Sequence, residues 1–272
     1  MAFTAADVKK LREMTSVGMM DCKKALTEAD GDFDKAIELL REKGLAKAAK
    51  KADRIAAEGL VKATVCDECG VGAIIEVNSE TDFVAKNADF QQFVSDVANV
   101  VIKDAPADVE ALKACKMGEG TVQDALQEKV LTIGENLQIR RFERFDNSTV
   151  NVAYNHMGGV IGVLVGLEVS EGLKDNAAVK ELGKDIGMQA AAMNPSFLDK
   201  SDVDEATLAK EKEILLIQAL EENKVSVEAH IKAVAKELGG EIKLVKCVRF
   251  EKGEGIEKKV DDFAAEVASM AK

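Results

Sequence analysis

The hydrophobic pattern changes its period around the polar segment Asn78–Asn87, and this change determines the fold class expected for the chain. Residues 72–77 form a largely apolar run that is typical of a buried strand. After the segment, apolar residues recur at helical spacing, at Phe90, Phe93, Val94, Val97 and Val101. Thr81 or Asp82 is predicted to cap this helix, because either side-chain oxygen can accept from free amides of the first turn. A strand that leads into a helix in this way indicates an α+β fold.

An aromatic residue stands inside this polar segment. Phe83, between Asp82 and Val84, can fold inward and pack as a hydrophobic staple, or it can project outward as an anchor for a partner. Periodicity alone favours the inward position, because apolar residues near helix starts usually pack against their own helix. The residue pattern leaves both positions open.

The first 45 residues predict a small three-helix bundle. A capping box at Thr4–Asp7 begins the first helix, Asp30–Asp32 separates the second from the third, and the third is expected to end at Gly44. Met19 and Met20 open the second helix. Adjacent helical residues point about 100° apart. One of the two is therefore expected in the core and the other on the surface, where a flexible methionine suits a partner's groove.

The rest of the chain alternates between strand and helix patterns. We expect a linker helix over residues 46–59, a first α+β subdomain over 60–146, a second over 147–255 and a C-terminal helical module over 256–272. The strands are predicted to pair antiparallel, with helices on one face. Strands are predicted at 60–65, 73–77, 137–145, 150–154, 162–169 and 241–250. Helices are predicted from the polar segment to about 103 and at 109–117, 121–133, 176–193, 205–222, 227–238 and 260–270.

The two α+β subdomains share a sequence pattern. A glycine, an apolar strand and Glu-Val before a helix occur at 72–79 and again at 162–170, which indicates two related units. The second unit has Glu171-Gly-Leu-Lys174 where the first has Glu80-Thr-Asp-Phe83. The aromatic turn is therefore specific to the first unit, and this favours a function for Phe83.

Charge and hydropathy exclude several classes of function. The 272 residues carry a net charge of −12, whereas proteins that bind nucleic acid normally present a basic face to the phosphates. No apolar run approaches the roughly 20 residues that span a bilayer, and no secretory signal precedes the first helix. We therefore expect a cytoplasmic protein that contacts neither nucleic acid nor membrane directly.

Cys66 and Cys69 have the spacing of a metal-binding or redox pair. A structural zinc ion requires four ligands, and the other donors, including His156 and His230, are scattered along the chain. A redox pair normally opens a helix, whereas this pair lies between two predicted strands. A plain hairpin turn is the favoured interpretation, and neither a metal nor a cofactor is expected. The chain also has no phosphate-binding loop and no metalloprotease or nucleophile motif, so no enzymatic activity is predicted.

Separated motifs of the chain resemble the bacterial translation elongation factor Ts family. They are the TDFVAKN segment at 81–87, GMMDCKKAL at 18–26, GENLQIRR at 134–141 and RFEKGEGIE at 249–257. The resemblance extends over the whole chain. It implies a guanine nucleotide exchange factor that binds elongation factor Tu in its GDP-bound and nucleotide-free forms, and an N-terminal domain similar to ubiquitin-associated domains.

The resemblance also implies roles for particular residues. Four consecutive residues would enter beside the nucleotide site of elongation factor Tu and displace its magnesium ion: Thr81, Asp82, Phe83 and Val84. Phe83 would be the wedge. Met19 and Met20 would contact the nucleotide domain of the partner, and His156 would contact its third domain.

Two features depart from the family pattern. Family members usually have a basic residue where Val160 stands, and many insert a helical protrusion after the helix that corresponds to 205–222. Here Asn223–Ser226 leads almost directly to the next helix, so the chain resembles a short form that lacks the protrusion. An alternative function is a non-catalytic adaptor that binds partner helices through its N-terminal domain. A third is thiol or zinc chemistry at Cys66 and Cys69.

Overall fold

The computed structural model describes residues 3–15, 17–51, 53–195, 198, 206–207 and 226–257. These residues form an α+β fold in which helices combine with antiparallel sheets, as the sequence predicts. Within the described ranges, no helix combines the length and apolar character needed to cross a membrane. The helices expected at 205–222 and 260–270 fall almost wholly outside these ranges, and so does the C-terminal module expected at 256–272.

The described helices are α1 (Ala5–Thr15), α2 (Met19–Glu28), α3 (Phe33–Lys51), α4 (Asp82–Ala85), α5 (Ala88–Asp104), α6 (Val109–Ala114), α7 (Val122–Ile133), α8 (Ala177–Met193) and α9 (Val227–Leu238). The described strands are β1 (Glu58–Val65), β2 (Gly72–Ser79), β3 (Lys116–Met117), β4 (Gly120–Thr121), β5 (Gln138–Phe145), β6 (Val150–His156), β7 (Ile161–Val169) and β8 (Ile242–Glu251).

Helices α1 to α3 form the N-terminal bundle around buried Leu11, Cys22 and Leu26. The predicted end of the third helix at Gly44 is wrong, because α3 continues to Lys51. The alanines and lysines after Gly44 are strong helix formers. Gly44 itself is buried where α3 meets α7, and a methyl group there would lie 3.5 Å from Leu131.

Strands β1, β2 and β5 form an antiparallel sheet in the order β1-β2-β5. Helices α5 and α7 contribute to the buried cluster on one face of this sheet, which includes Ile75, Val77, Phe90 and Val97. The helix expected at 109–117 ends at Ala114 instead. Residues 116–117 leave the helix because they pair with residues 120–121 in a two-residue hairpin just before α7.

Strands β6, β7 and β8 form a second antiparallel sheet in the order β6-β7-β8. Helix α8 packs against it, and its inward glycines allow a close approach: a methyl group on Gly183 would lie 2.4 Å from Val152 Cγ2. Helix α9 packs more loosely, and none of its side chains is fully buried.

The remaining faces of the two sheets pack against each other around Val61, Ile74, Leu164 and Phe250. Polar contacts fix this interface as well. The Asn155 side chain accepts from the Ala63 amide at 2.8 Å and donates to the Ala63 carbonyl at 2.9 Å. The two sheets therefore form one body, with helices on the outer faces.

Candidate functional site

The polar segment after β2 forms a compact turn that is capped differently from the prediction. Thr81 precedes α4, but its side chain makes no capping hydrogen bond. Asn87 caps the long helix α5, because its side-chain oxygen accepts from the amides of Asp89 at 2.8 Å and Phe90 at 3.2 Å. The prediction of Thr81 or Asp82 as the cap is wrong because the short helix α4 intervenes between β2 and α5.

Phe83 and Val84 point in opposite directions. Val84 is 7% exposed and belongs to the same buried cluster as Phe90. Phe83 is 78% exposed, and its ring lies 5.8 Å from the ammonium group of Lys86. The inward position favoured by periodicity is therefore wrong for Phe83, and the outward position is observed. Val84 fastens the turn to the core while Phe83 remains accessible.

The loop between α7 and β5 holds this turn in place. The Glu135 carboxylate accepts from the Glu80 amide at 3.1 Å, the Thr81 amide at 3.0 Å and the Thr81 hydroxyl at 2.6 Å. The Glu80 carboxylate in return accepts from the Asn136 amide at 2.6 Å and from Arg54 at 3.4 Å. Charge-assisted hydrogen bonds are stronger than neutral ones, so this reciprocal pair, called here the Glu80–Glu135 clamp, fixes the base of the turn.

Asp82 lies beside Phe83 on the solvent side of the turn. Its carboxylate accepts from Lys86 Nζ at 2.7 Å. The hydrogen bond from Lys86 lowers the pKa of Asp82, and the charges of Lys86 and Lys252 lower it further. Asp82 is therefore ionised at neutral pH, which places a negative charge next to the exposed aromatic ring.

Met19 and Met20 lie at the start of α2, and both are exposed, at 44% and 64%. The prediction that one of them fills the core is wrong. The core positions of α2 are taken by Cys22, Ala25 and Leu26. The two methionines therefore form a small apolar patch on the N-terminal bundle.

His156 ends β6, where the chain turns toward β7. Its Nδ1 atom is 3.0 Å from the Tyr154 hydroxyl, and the two rings stack with centroids 5.9 Å apart. Met157 follows with 71% exposure and a φ of +49°. Val160, which stands where a basic residue was expected, accepts through its carbonyl from the Lys252 amide at 2.9 Å.

The structure brings the β6–β7 turn to the same end of the sheets as Thr81–Val84. The Gly159 carbonyl accepts from the Val61 amide at 2.8 Å, and neighbouring Glu58 of β1 pairs in register with Ser79 of β2. Lys252 forms an ion pair with Glu58, and its charge also lowers the pKa of Asp82. Exposed groups from both halves of the chain are thus assembled around one end of the molecule.

Several residues that organise this site were not among the predicted site residues, namely Arg54, Glu80, Glu135 and Lys252. The GENLQIRR motif at 134–141 contributes to the family resemblance, but the sequence pattern assigns no site role to its residues. A carboxylate directly after a helix-ending glycine was the available signal for Glu135, because α7 closes on Gly134 with φ +87°.

The described residues contain no group of three or more histidine, cysteine or acidic side chains that could hold a metal ion. The geometry presents exposed apolar and charged groups on a rigid support. Fold and site together define an α+β protein that acts by contact with a partner molecule.

Comparison with known proteins gives the family. The family model described as elongation factor TS matches residues 80–245. The chain is 46% identical to the elongation factor Ts of Syntrophotalea carbinolica over 307 aligned positions that cover 100% of both proteins. It is 47% identical to that of Clostridium kluyveri, with 97% of each chain covered, and 45% identical to that of Clostridioides difficile, with 99% of each covered. The chain belongs to the elongation factor Ts family, so the predicted role in guanine nucleotide exchange during translation elongation is confirmed.

Proposed function

We propose that the protein accelerates GDP release from elongation factor Tu by inserting the turn Thr81–Val84 beside the partner's nucleotide site. One observation carries this proposal: Phe83 is 78% exposed on a turn whose base is held by the Glu80–Glu135 clamp. Burial of an aromatic ring in a partner releases apolar surface from water. Because the turn is already ordered, little of the free energy of burying the ring is lost in ordering the turn on binding. Most of it can therefore drive the displacement of groups in the partner.

The proposed mechanism needs no covalent chemistry. A factor that binds nucleotide-free Tu more tightly than Tu with GDP must weaken GDP binding by the same ratio, because binding linkage is reciprocal. Phe83 acts as the wedge, and the ionised Asp82 beside it disturbs the groups that hold the magnesium ion. Without the cation, the charge of the GDP phosphates is poorly compensated, and GDP leaves faster.

The other predicted residues complete the proposed interface. Met19 and Met20 contact the nucleotide domain of Tu, and His156 contacts a second, distant domain. Attachment at separate points keeps the factor from sliding away when the turn pushes into the site. The exposure of both methionines and the position of His156 at a strand end support this arrangement. We further propose that the protein acts in the cytoplasm and contacts neither nucleic acid nor membrane directly.

A division into domains accompanies this proposal. The N-terminal bundle (1–45) is similar to ubiquitin-associated domains, and 46–59 links it to the core. The subdomains 60–146 and 147–255 are related halves, followed by the module 256–272. The shared strand order supports the relation: β2 and β7, which carry the repeated pattern, are each the central strand of a three-stranded antiparallel sheet.

Stopped-flow release of a fluorescent GDP from elongation factor Tu tests the mechanism. We expect strong acceleration by the wild type and much weaker acceleration by Phe83→Ala. Met193→Ala is the matched control, because Met193 is also an exposed apolar residue, at 65%, but lies at the end of α8. Acceleration that survives Phe83→Ala would refute the wedge. Complex formation with no acceleration by the wild type would refute exchange and favour the adaptor.

A further inference from the structure

The turn between β1 and β2 has a geometry that the sequence pattern alone did not reveal. The backbone amide of Cys69 donates to the Cys66 sulfur at 3.3 Å. The Gly70 amide donates to the Cys66 carbonyl at 2.9 Å, and Gly70 adopts a φ of +71°. A backbone amide directed at the first sulfur of a Cys-x-x-Cys-Gly turn favours that sulfur as a thiolate, the form that binds metal.

The side chains of the turn favour a cation further. The Cys69 thiol is also a hydrogen-bond partner of the Cys66 sulfur, which brings the two sulfurs together. Asp67, Glu68 and Cys69 are exposed and Cys66 is half-buried, so two carboxylates and the Cys69 sulfur stand at the surface of an acidic protein. Soft thiolates select thiophilic cations such as Zn²⁺ and Cd²⁺ over Mg²⁺ and Ca²⁺.

The turn is also firmly supported by the fold. The Cys66 amide donates to the Val71 carbonyl at 2.9 Å, which closes the hairpin. Asn151, on the facing strand β6, donates from its side chain to the carbonyls of Gly70 at 2.9 Å and Phe145 at 3.1 Å. A supported turn presents its two sulfurs without a large ordering cost on binding.

We propose that Cys66 and Cys69 form a bidentate thiolate site for a thiophilic divalent cation. The two sulfurs supply half of a tetrahedral coordination shell. Because no third histidine, cysteine or acidic ligand joins a cluster within the described ranges, the remaining positions are filled by water or by the same turn of a second molecule.

This site is independent of nucleotide exchange. Strands β1 and β2 each contain eight residues, which separates the cysteine turn from Thr81–Val84 by about 25 Å at roughly 3.3 Å per residue. Cys66→Ser is therefore expected to leave GDP release from elongation factor Tu unchanged. That assay also verifies that the variant is folded.

Titration of the reduced full-length protein with cadmium chloride tests the proposal through the sulfur-to-cadmium charge-transfer absorption in the ultraviolet. We expect saturation at one cation per chain, or one per two chains joined through their turns, and displacement by Zn²⁺. Cys66→Ser and Cys69→Ser should each abolish the tight phase. Cys115→Ser is the matched control, because its thiol already donates to the Ala111 carbonyl at 3.3 Å, and it should bind as the wild type does.

Gly70→Ala separates the geometry of the turn from the mere presence of two thiols. A methyl group at Gly70 meets no atom within 4 Å, so its effect comes from the positive φ that an alanine disfavours. We expect the cadmium affinity to fall severalfold while both cysteines remain. Absence of the absorption in the wild type, or its persistence in Cys66→Ser and Cys69→Ser, would overturn the site.

Discussion

Phe83 and Val84 are adjacent residues with opposite environments, and this contrast predicts opposite effects of substitution. Phe83→Ala should change the free energy of unfolding by no more than about 0.5 kcal/mol, because an exposed side chain has few contacts to lose. Val84→Ala should cost about 2 kcal/mol, because it removes buried apolar surface. Urea denaturation of both variants measures the difference. Equal destabilisation would mean that the Phe83 ring packs inward in solution.

Glu135 is predicted to act on exchange by positioning the turn rather than by touching the partner. Both of its carboxylate oxygens are used, one by the Thr81 hydroxyl and the other by the amides of Glu80 and Thr81. In Glu135→Gln, the side-chain NH2 group replaces one of these two oxygens, so at least one of the donors loses its acceptor. We expect the maximal rate of GDP release to fall about tenfold, which corresponds to roughly 1.4 kcal/mol.

A matched substitution separates this positioning from a general effect of charge. Glu128→Gln removes the same charge from an exposed position on α7 and should keep the wild-type rate. If Glu135→Gln also kept the wild-type rate, the clamp would have no part in exchange.

At the level of elements, hydrophobic period predicted most strands and helices, but it did not predict where some of them end. The hairpin β1–β2 and helices α5 and α7 follow directly from their apolar spacing. Helix α3 continues through Gly44 because tertiary packing against α7 offsets the low helix propensity of glycine. The local sequence pattern contains no information about this packing. Asn87 rather than Thr81 or Asp82 caps α5, because the short helix α4 lies between β2 and α5.

Glu76 links three elements and predicts a pH dependence of stability. Its fully buried carboxylate on β2 accepts from Arg141 of β5 at 2.6 Å and from the Gly253 amide after β8 at 2.7 Å. Burial by itself raises the pKa of Glu76, but the hydrogen bonds from Gly253, Asn78 and Arg141 lower it by more, so the pKa lies below its ordinary value.

The sign of this shift fixes the pH window. A lowered folded-state pKa means that the carboxylate stabilises the fold above the unfolded value of about 4.3, and that this contribution is lost as the pH falls through the folded value. Glu76→Gln should cost about 3 kcal/mol at pH 7 and should flatten the decline in stability below about pH 4. Thermal unfolding from pH 7 to pH 3 measures both effects. An unchanged acid slope would contradict the assignment.

At the scale of the whole molecule, the site combines segments that lie far apart in sequence. Lys252 reaches Glu58 across 194 positions, and the Gly159 carbonyl meets Val61. Local period cannot predict such contacts, since they depend on how the two sheets face each other. The family resemblance supplied Phe83, the methionines and His156 as candidates, whereas the supporting residues became visible only in three dimensions.

The chain also lacks residues that one of its relatives has. The alignment with the Syntrophotalea carbinolica protein spans 307 positions, 35 more than the 272 residues here, so that relative has at least 35 residues that this chain lacks. A factor that exchanges nucleotide without those residues must depend on the contacts that remain, which makes its attachment points easier to test.

Residues that only attach the factor to elongation factor Tu and residues that displace the nucleotide should affect different kinetic quantities of GDP release. His156→Ala removes a group at the β6–β7 turn, and a pure attachment residue contributes equally to the complexes with and without GDP. It should therefore raise the factor concentration needed for half-maximal GDP release about tenfold, or roughly 1.4 kcal/mol, and leave the maximal rate unchanged. Phe83→Ala should lower the maximal rate instead.

Met188→Ala on α8, which alters an apolar side chain of 44% exposure, should change neither quantity. A lowered maximal rate for His156→Ala would show that the β6–β7 turn takes part in displacing the nucleotide, and a wild-type concentration dependence would remove His156 from the interface.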